Sequence, residues 1–254
     1  MINIEINEFG EMANYFNLNK PVVGLIGGMG SYATLGIFKR LLDSFKVDKE
    51  WERPHIIIDN FCTMPSRVKN IMKPDEHEIH LIIQCLSYSL KKLVDYGVDL
   101  IVLLCNTSHY YLPDALINVP EAENKILSVI DATVNYLNDR GVKKTAIVAT
   151  EGTLKSELYV KAADLHDITV ESPKTTEYGL IREFIEAVKN NNIDKKLLES
   201  FANYLESFSS KNIILGCTEL PIMYQKCNEF GINIDKTIID PIEIVITKIK
   251  TKYQ

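Results

Sequence analysis

The stretch Leu100-Ile101-Val102-Leu103-Leu104-Cys105-Asn106-Thr107-Ser108-His109 is an unbroken apolar run that ends in a thiol, followed by an amide and two hydroxyls. An apolar run of this length without alternation reads as a strand buried on both faces, the habit of parallel sheets. A second stretch is framed the same way: Asn212-Ile213-Ile214-Leu215-Gly216-Cys217-Thr218-Glu219-Leu220-Pro221. In open α/β sheets, ligands bind outside the carboxyl ends of parallel strands, which is where both thiols fall. Two thiols so placed, far apart in the chain, predict one in each half of a two-lobed protein, facing each other across a cleft.

Outward from these strands, short apolar runs alternate with segments of helical period, the pattern of parallel sheets with helices on both faces. In the first half, residues 21–26 read as a strand, the glycine-rich 27–30 as a turn, 32–45 as a helix and 55–59 as a second strand. Residues 75–96 form a long amphipathic helix, with Ile79, Ile82, Ile83, Leu86, Leu90 and Leu93 at three- and four-residue spacing. Gly97 closes it as a left-handed cap would. Residues 108–117 read as the helix after the first thiol strand. In the second half, 127–130, 145–149, 168–171 and 212–215 read as strands, and 132–140, 155–165, 177–188 and 197–208 as helices. A last strand at 236–239 precedes a last helix at 241–251, which opens on Pro241.

The expected fold class is α/β: two similar, pseudo-twofold related lobes, each a mostly parallel sheet flanked by helices, with the site in the cleft between them. The division expected is an N-terminal extension at 1–20, a lobe of 21–120 plus 236–254 carrying Cys105, and a lobe of 121–235 carrying Cys217. At 254 residues the chain is long enough for two modest cores. A net charge of −6 and pI near 5.5 give no basic footprint for nucleic acid. No apolar run approaches the ~20 residues that span a bilayer, and the first twenty residues lack the basic start and apolar stretch of a secretory signal. Five cysteines, an odd number without CxxC spacing, argue against a disulfide framework or zinc knuckle and fit a reducing cytoplasm. Cys62, Cys85 and Cys227 read as small buried hydrophobes.

The residues around the two thiols define the chemistry. A base on each side of a carbon can remove a proton from one face and return one to the other without moving, and thiol and thiolate suit this because they titrate near neutral pH. Against this, buried cysteines in α/β cores are commonly structural. Each thiol directly precedes a helix or turn whose free N–H groups favour thiolate. His109 falls on the face of Cys105 if a helix starts at once, or else is a satisfied structural histidine. Glu219 is placed to tune Cys217 or to orient a substrate ammonium group, or is a loop carboxylate without a role. Asn106, Thr107 and Thr218 are short hydrogen-bonding residues beside the thiols, and also ordinary helix N-caps. Arg67, in the loop Met64-Pro65-Ser66-Arg67, matches a carboxylate with its fork of donors; a solvated loop arginine is the alternative. The turn Gly27-Gly28-Met29-Gly30 lets backbone approach a ligand, but it is neither GxGxxG nor a P-loop.

Four of these stretches together resemble the aspartate/glutamate racemase family, the amino-acid racemases that need no pyridoxal cofactor. They are the opening glycine turn from Gly24 to Thr34, the arginine loop from Met64 to Arg67, Cys105-Asn106-Thr107-Ser108-His109, and Gly216-Cys217-Thr218-Glu219-Leu220-Pro221. Residues 128–133 and 152–156 add weaker matches. Ser31 departs from the proline that many members carry after Met-Gly.

The resemblance implies a racemase of aspartate, glutamate or both, with Cys105 and Cys217 as the alternating acid and base and no cofactor. It further implies that Asn106, Thr107 and Thr218 hold the substrate α-carboxylate, that Met29 lines the pocket, and that Lys189 can supply a second carboxylate contact. Lys189 reads equally as a plain cation at a helix end. A homodimer is expected by family and by base rate. Other readings stay open: a sister hydantoin racemase, maleate isomerase or arylmalonate decarboxylase; a cysteine hydrolase using Cys105 with His109; and a lobe pair that binds a small acid without turnover.

Overall fold

The structure is a computed structural model that describes residues 21–253; the segment 1–20 set apart in the sequence lies outside them. Two parallel sheets form the frame. In the first lobe, β1 (Val23–Gly27) is followed by α1 (Ser31–Ser44), β2 (Ile56–Asn60), α2 (Arg67–Met72), α3 (Glu76–Asp95) and β3 (Leu100–Leu103). The strand order is β2-β1-β3, with Val23 opposite both Ile56 and Leu100. β1 is central, and each of its residues is buried.

The chain then runs through a 3₁₀ turn (Thr107–Tyr110), α4 (Leu112–Asn118), a second 3₁₀ segment (Pro120–Lys125) and α5 (Val129–Asp139). The second lobe has β4 (Lys144–Val148), α6 (Glu151–Lys155), α7 (Leu158–Asp164), β5 (Thr169–Glu171), α8 (Tyr178–Lys189), α9 (Lys195–Glu206), β6 (Asn212–Leu215), α10 (Leu220–Glu229), β7 (Thr237–Ile239) and α11 (Pro241–Tyr253). Its strand order is β5-β4-β6-β7. Ala146 stands opposite Glu171 on one side and Ile213 on the other.

The expected local chemistry sets most boundaries. Asp75 caps α3 by accepting the Glu78 N–H at 3.0 Å, a contact worth about 1 kcal/mol. The same helix buries Ile82, Leu86, Leu90 and Leu93, and Gly97 ends it at φ 84°. Ser128 caps α5 in the same way through Asp131 N–H at 3.1 Å.

Four expectations about the elements differ from the structure. Residues 127–130 are not a strand: Ile126 makes one parallel bridge to Ile101, and the Ser128 cap turns the chain into α5 immediately. Residues 108–117 are a 3₁₀ turn and then α4, because Pro113 favours a helix start just before it rather than within it. The helix expected at 155–165 is broken at Glu157, which adopts φ 56°. Finally, β7 pairs with β6 in the second sheet, so residues 236–239 do not join the Cys105 lobe. Only α11 returns to the first lobe, packing on α5 and α1. Arg40 of α1 pairs there with Asp240 at 2.6 Å and Glu243 at 2.7 Å. Of the cysteines expected to be buried, Cys227 is, Cys85 is half-buried, and Cys62 is exposed in the turn after β2.

Candidate active site

β3 ends at Leu103, and Leu104 continues its register by donating its N–H to Ile26 O at 2.8 Å. The chain leaves the sheet at Cys105 and tightens at once into the 3₁₀ turn, so the N–H groups of Asn106 and Thr107 have no partner among the described residues. In the other lobe Gly216 N donates to Val148 O at 2.8 Å, and Cys217 follows where β6 leaves its sheet. Both thiols line one cavity of about 420 Å³ between the lobes. Met29, Arg67, Asn106 and Thr107 line it from the first lobe, and Thr218, Glu219 and Lys189 from the second. Of the candidate residues read from the sequence, all but His109 therefore meet the same space.

Gly28 makes the first wall possible. It sits at φ 85°, and a Cβ there would lie 2.5 Å from the backbone of Phe61, so only glycine fits. The turn so formed brings Met29 to the cavity, where its sulfur accepts the Ser108 hydroxyl at 2.9 Å.

The second wall is electrostatically distinct. Cys217 Sγ donates to Glu219 Oε2 at 3.0 Å. Burial pushes the Cys217 thiol well above its ordinary range, and the Glu219 charge raises it further, with a smaller contribution from Cys105. Cys217 is therefore held as the protonated partner. Lys189 Nζ bonds Glu186 at 2.8 Å. Burial works against its charge, but the hydrogen bond to Glu186 and the charges of Glu219, Glu186 and Cys217 outweigh it, so its pKa is raised.

His109 does not serve Cys105 as a base. Its Nδ1 bonds the Cys105 carbonyl at 3.0 Å, and its Nε2 accepts the Val129 N–H at 3.3 Å. A carbonyl only accepts, so the Nδ1 position carries the proton and the ring is neutral. Burial lowers its pKa in agreement. Both ring nitrogens are thus committed to fixing the chain around the thiol, which removes the geometric basis for a thiol–imidazole hydrolase.

The sequence matches the family model described as Asp/Glu/Hydantoin racemase over residues 26–249. The chain belongs to the Asp/Glu/Hydantoin racemase family. Among curated relatives of this family it is 31% identical over 147 residues to a glutamate racemase of Aquifex aeolicus, covering 56% of this chain and 55% of the relative. It is 25% identical over 207 residues to a broad specificity amino-acid racemase of Bacillus subtilis, covering 78% and 86%. The matched region thus spans little more than half the length of the first of these. In three dimensions it resembles an aspartate racemase of Picrophilus torridus, with a TM-score of 0.76 and 22% identity over 91% of this chain and 94% of the other. A glutamate racemase of Francisella tularensis solved with D-glutamate gives a TM-score of 0.65 and 22% identity over 92% and 80%.

Cavity-lining residues that the sequence did not single out come mostly from α6 and α8. Glu151 and Arg182 form an ion pair on the cavity wall, joined there by Tyr178 and Glu186. Thr107 Oγ1 meets the hydroxyls of Thr150 and Thr153, each at 2.9 Å, across the lobe boundary. Its hydroxyl is therefore engaged, leaving its free N–H as the group open to a ligand. Arg67 Nη1 is tied to the carbonyls of Met64 at 3.2 Å and Pro65 at 2.8 Å, and its Nε is buried without a partner. Arg67 opens α2 rather than lying in a loop. Helical spacing on α8, where Arg182, Glu186 and Lys189 recur at i, i+4 and i+7, was the available signal for that wall. Among the described residues, no helix is long and apolar enough to cross a membrane.

Proposed function

We propose that this chain is an amino-acid racemase that works without a cofactor, by two-thiol proton transfer on aspartate or glutamate. The observation that carries the reading is that Cys105 and Cys217, from opposite lobes, line one small cavity. The substrate's α-carbon lies between the two sulfurs. Its α-carboxylate is held by the free N–H groups of Asn106 and Thr107 and by Thr218, where partial positive charge from the turn gathers. Arg67 and Lys189 receive the side-chain carboxylate, and Met29 packs against the substrate.

Glu219 sets the starting state. With Cys217 protonated, Cys105 is the thiolate that removes the α-proton. Charge then builds on the α-carboxylate oxygens, where the same N–H donors stabilise it. Cys217 delivers its proton to the opposite face, leaving a Cys105 thiol and a Cys217 thiolate beside Glu219. That product state is held up by Lys189, and it returns either by running the reverse enantiomer or by exchanging its protons with water. We further infer a homodimer working in the cytoplasm; that all five cysteines are free thiols supports the compartment.

The test is incubation of the purified full chain with a panel of L-amino acids, read by chiral chromatography, alongside Cys105→Ala and Cys217→Ala. Racemisation by the parent, lost in both variants, is the expected result, with each enantiomer exchanging its α-hydrogen in deuterated water. A folded protein that interconverts no amino acid overturns the reading. The likeness to a broad specificity relative supports a second reading, a wider amino-acid substrate range, which the same panel separates.

A further inference from the structure

The two thiol motifs are joined through a residue in neither of them. Tyr159, on α7, is fully buried. Its hydroxyl donates to Asn106 Oδ1 at 2.5 Å, one residue past Cys105. The edge of its ring lies 3.4 Å from where a Cβ on Gly216 would stand, one residue before Cys217. A single side chain of the second lobe thus bonds the neighbour of one thiol and closes the space beside the neighbour of the other.

The contact has a consequence for the amide. Asn106 has one acceptor atom and one donor atom on its side chain. The acceptor is occupied by Tyr159. Nδ2 makes no hydrogen bond among the described residues, yet it is not sealed from solvent as Arg67 Nε and Asn70 Oδ1 are. Because Asn106 is otherwise buried and lines the cavity, that nitrogen opens onto the site. A reversed amide would set Nδ2 against the phenol and present an acceptor to an incoming carboxylate. Burial pushes the Tyr159 phenol far above its ordinary pKa, so the group remains a donor at any working pH. The nearby Thr133 hydroxyl spends its proton on Val129 O at 2.7 Å, so it is not a donor to the Tyr159 oxygen.

We propose that Tyr159 is a positioning residue that fixes the Asn106 amide with its nitrogen toward the cavity, as a donor to the substrate α-carboxylate. This rests on the racemase reading for the identity of the ligand, but not for the orientation of the amide. Tyr159→Phe keeps the ring against Gly216 and removes only the hydroxyl. Released, the amide turns freely, and kcat/KM falls at least about tenfold, the scale of one hydrogen bond to a charged oxygen.

The experiment is a double-mutant cycle of Tyr159→Phe and Asn106→Ala, read in kcat/KM, together with the side-chain amide resonances of Asn106 in a ¹H–¹⁵N spectrum of the ligand-free protein. The expected result is non-additive: Tyr159→Phe changes kcat/KM less than about twofold once Asn106 is alanine. It also shifts or broadens the Asn106 amide pair, assigned by its disappearance in Asn106→Ala. Equal losses in both backgrounds, or an unmoved amide pair, overturn the proposal. A parent protein that is inactive while the amide pair still responds to Tyr159→Phe would sink the racemase reading and leave the positioning role standing.

Discussion

Cys217 Sγ and Glu219 Oε2 lie 3.0 Å apart with both residues buried, and the Thr218 hydroxyl donates to the same carboxylate oxygen at 3.0 Å. The carboxylate accepts from the thiol and would repel the thiolate, so the pair stores the proton on sulfur. Glu219→Gln keeps the shape and an acceptor oxygen while removing the charge. The Cys217 pKa then falls, because part of what raises it is the Glu219 charge. Alkylation of Cys217 by iodoacetamide, followed by mass spectrometry across a pH series, should show its midpoint moved to lower pH. The basic limb of the racemisation profile moves the same way, and kcat/KM falls about tenfold or more. An unmoved alkylation midpoint would mean that burial alone sets this thiol.

The contact between lobes beside Cys105 is tight at Gly152. A Cβ there would stand 2.9 Å from Thr107 Cγ2 and 3.1 Å from Val68 Cα. Gly152 has helical backbone within α6, so alanine suits its conformation and favours the helix by up to about 1 kcal/mol. The added methyl must instead displace Thr107 or α2, which carry the unpartnered Thr107 N–H and Arg67 on the cavity wall. Gly152→Ala should therefore lower kcat/KM at least about tenfold with a change of only a few degrees in melting temperature. Full activity in this variant would show that the boundary yields without disturbing the site.

How far the sequence reached depends on the range of the interactions involved. Both thiols were legible because apolar runs without alternation must be buried strands, and the residue that leaves such a strand lands at a sheet's ligand edge. The α3 helix was legible from period and caps. Residues 127–130 misled because Leu127 and Ile130 look strand-like, while the Ser128 cap decides locally for helix. Residues 236–239 were placed in the wrong lobe, since pairing of β7 with β6 is a tertiary choice that its three residues do not encode. Tyr159 was invisible for the same reason: its partner Asn106 is 53 residues away, and nothing local marks a tyrosine that serves an amide. His109 was ambiguous because its role turned on whether an α-helix or a 3₁₀ turn succeeds the thiol.

His109 supplies a stability test. Its two hydrogen bonds hold the Cys105 carbonyl and the start of α5 together, and His109→Ala removes both and leaves a cavity. A loss of about 2 to 4 kcal/mol is expected, which lowers the melting temperature by several degrees in a chain of this size. Because burial lowers its pKa in the folded state, its contribution is complete above the unfolded value of about 6.5 and is lost as pH falls through the lower folded value. Melting temperatures of parent and variant, measured from pH 8 down to pH 5, should therefore converge on the acid side. Parallel curves would assign the loss to packing rather than to protonation.

Glu171, which does not line the cavity, provides the complementary test at lower pH. It ends β5, and its carboxylate accepts from the backbone N–H and hydroxyl groups of both Ser209 and Ser210 at 2.7 to 3.0 Å. Burial by itself would raise its pKa, but these four bonds outweigh it and bring the group down to about 2. The folded value lies below the unfolded one, so the stabilisation is present above the ordinary carboxylate range near 4.3 and disappears as pH falls toward 2. Glu171→Gln retains one acceptor oxygen but loses the charge that makes these bonds strong. At pH 7 the variant should unfold at lower denaturant with an unchanged slope, and the difference between the two proteins should shrink below about pH 4 and close as pH approaches 2. Since the carboxylate ties β5 to the segment leading into β6, the strand that delivers Cys217, a variant that melts early at pH 7 yet racemises at the parent rate at 25 °C would place this anchor in stability alone.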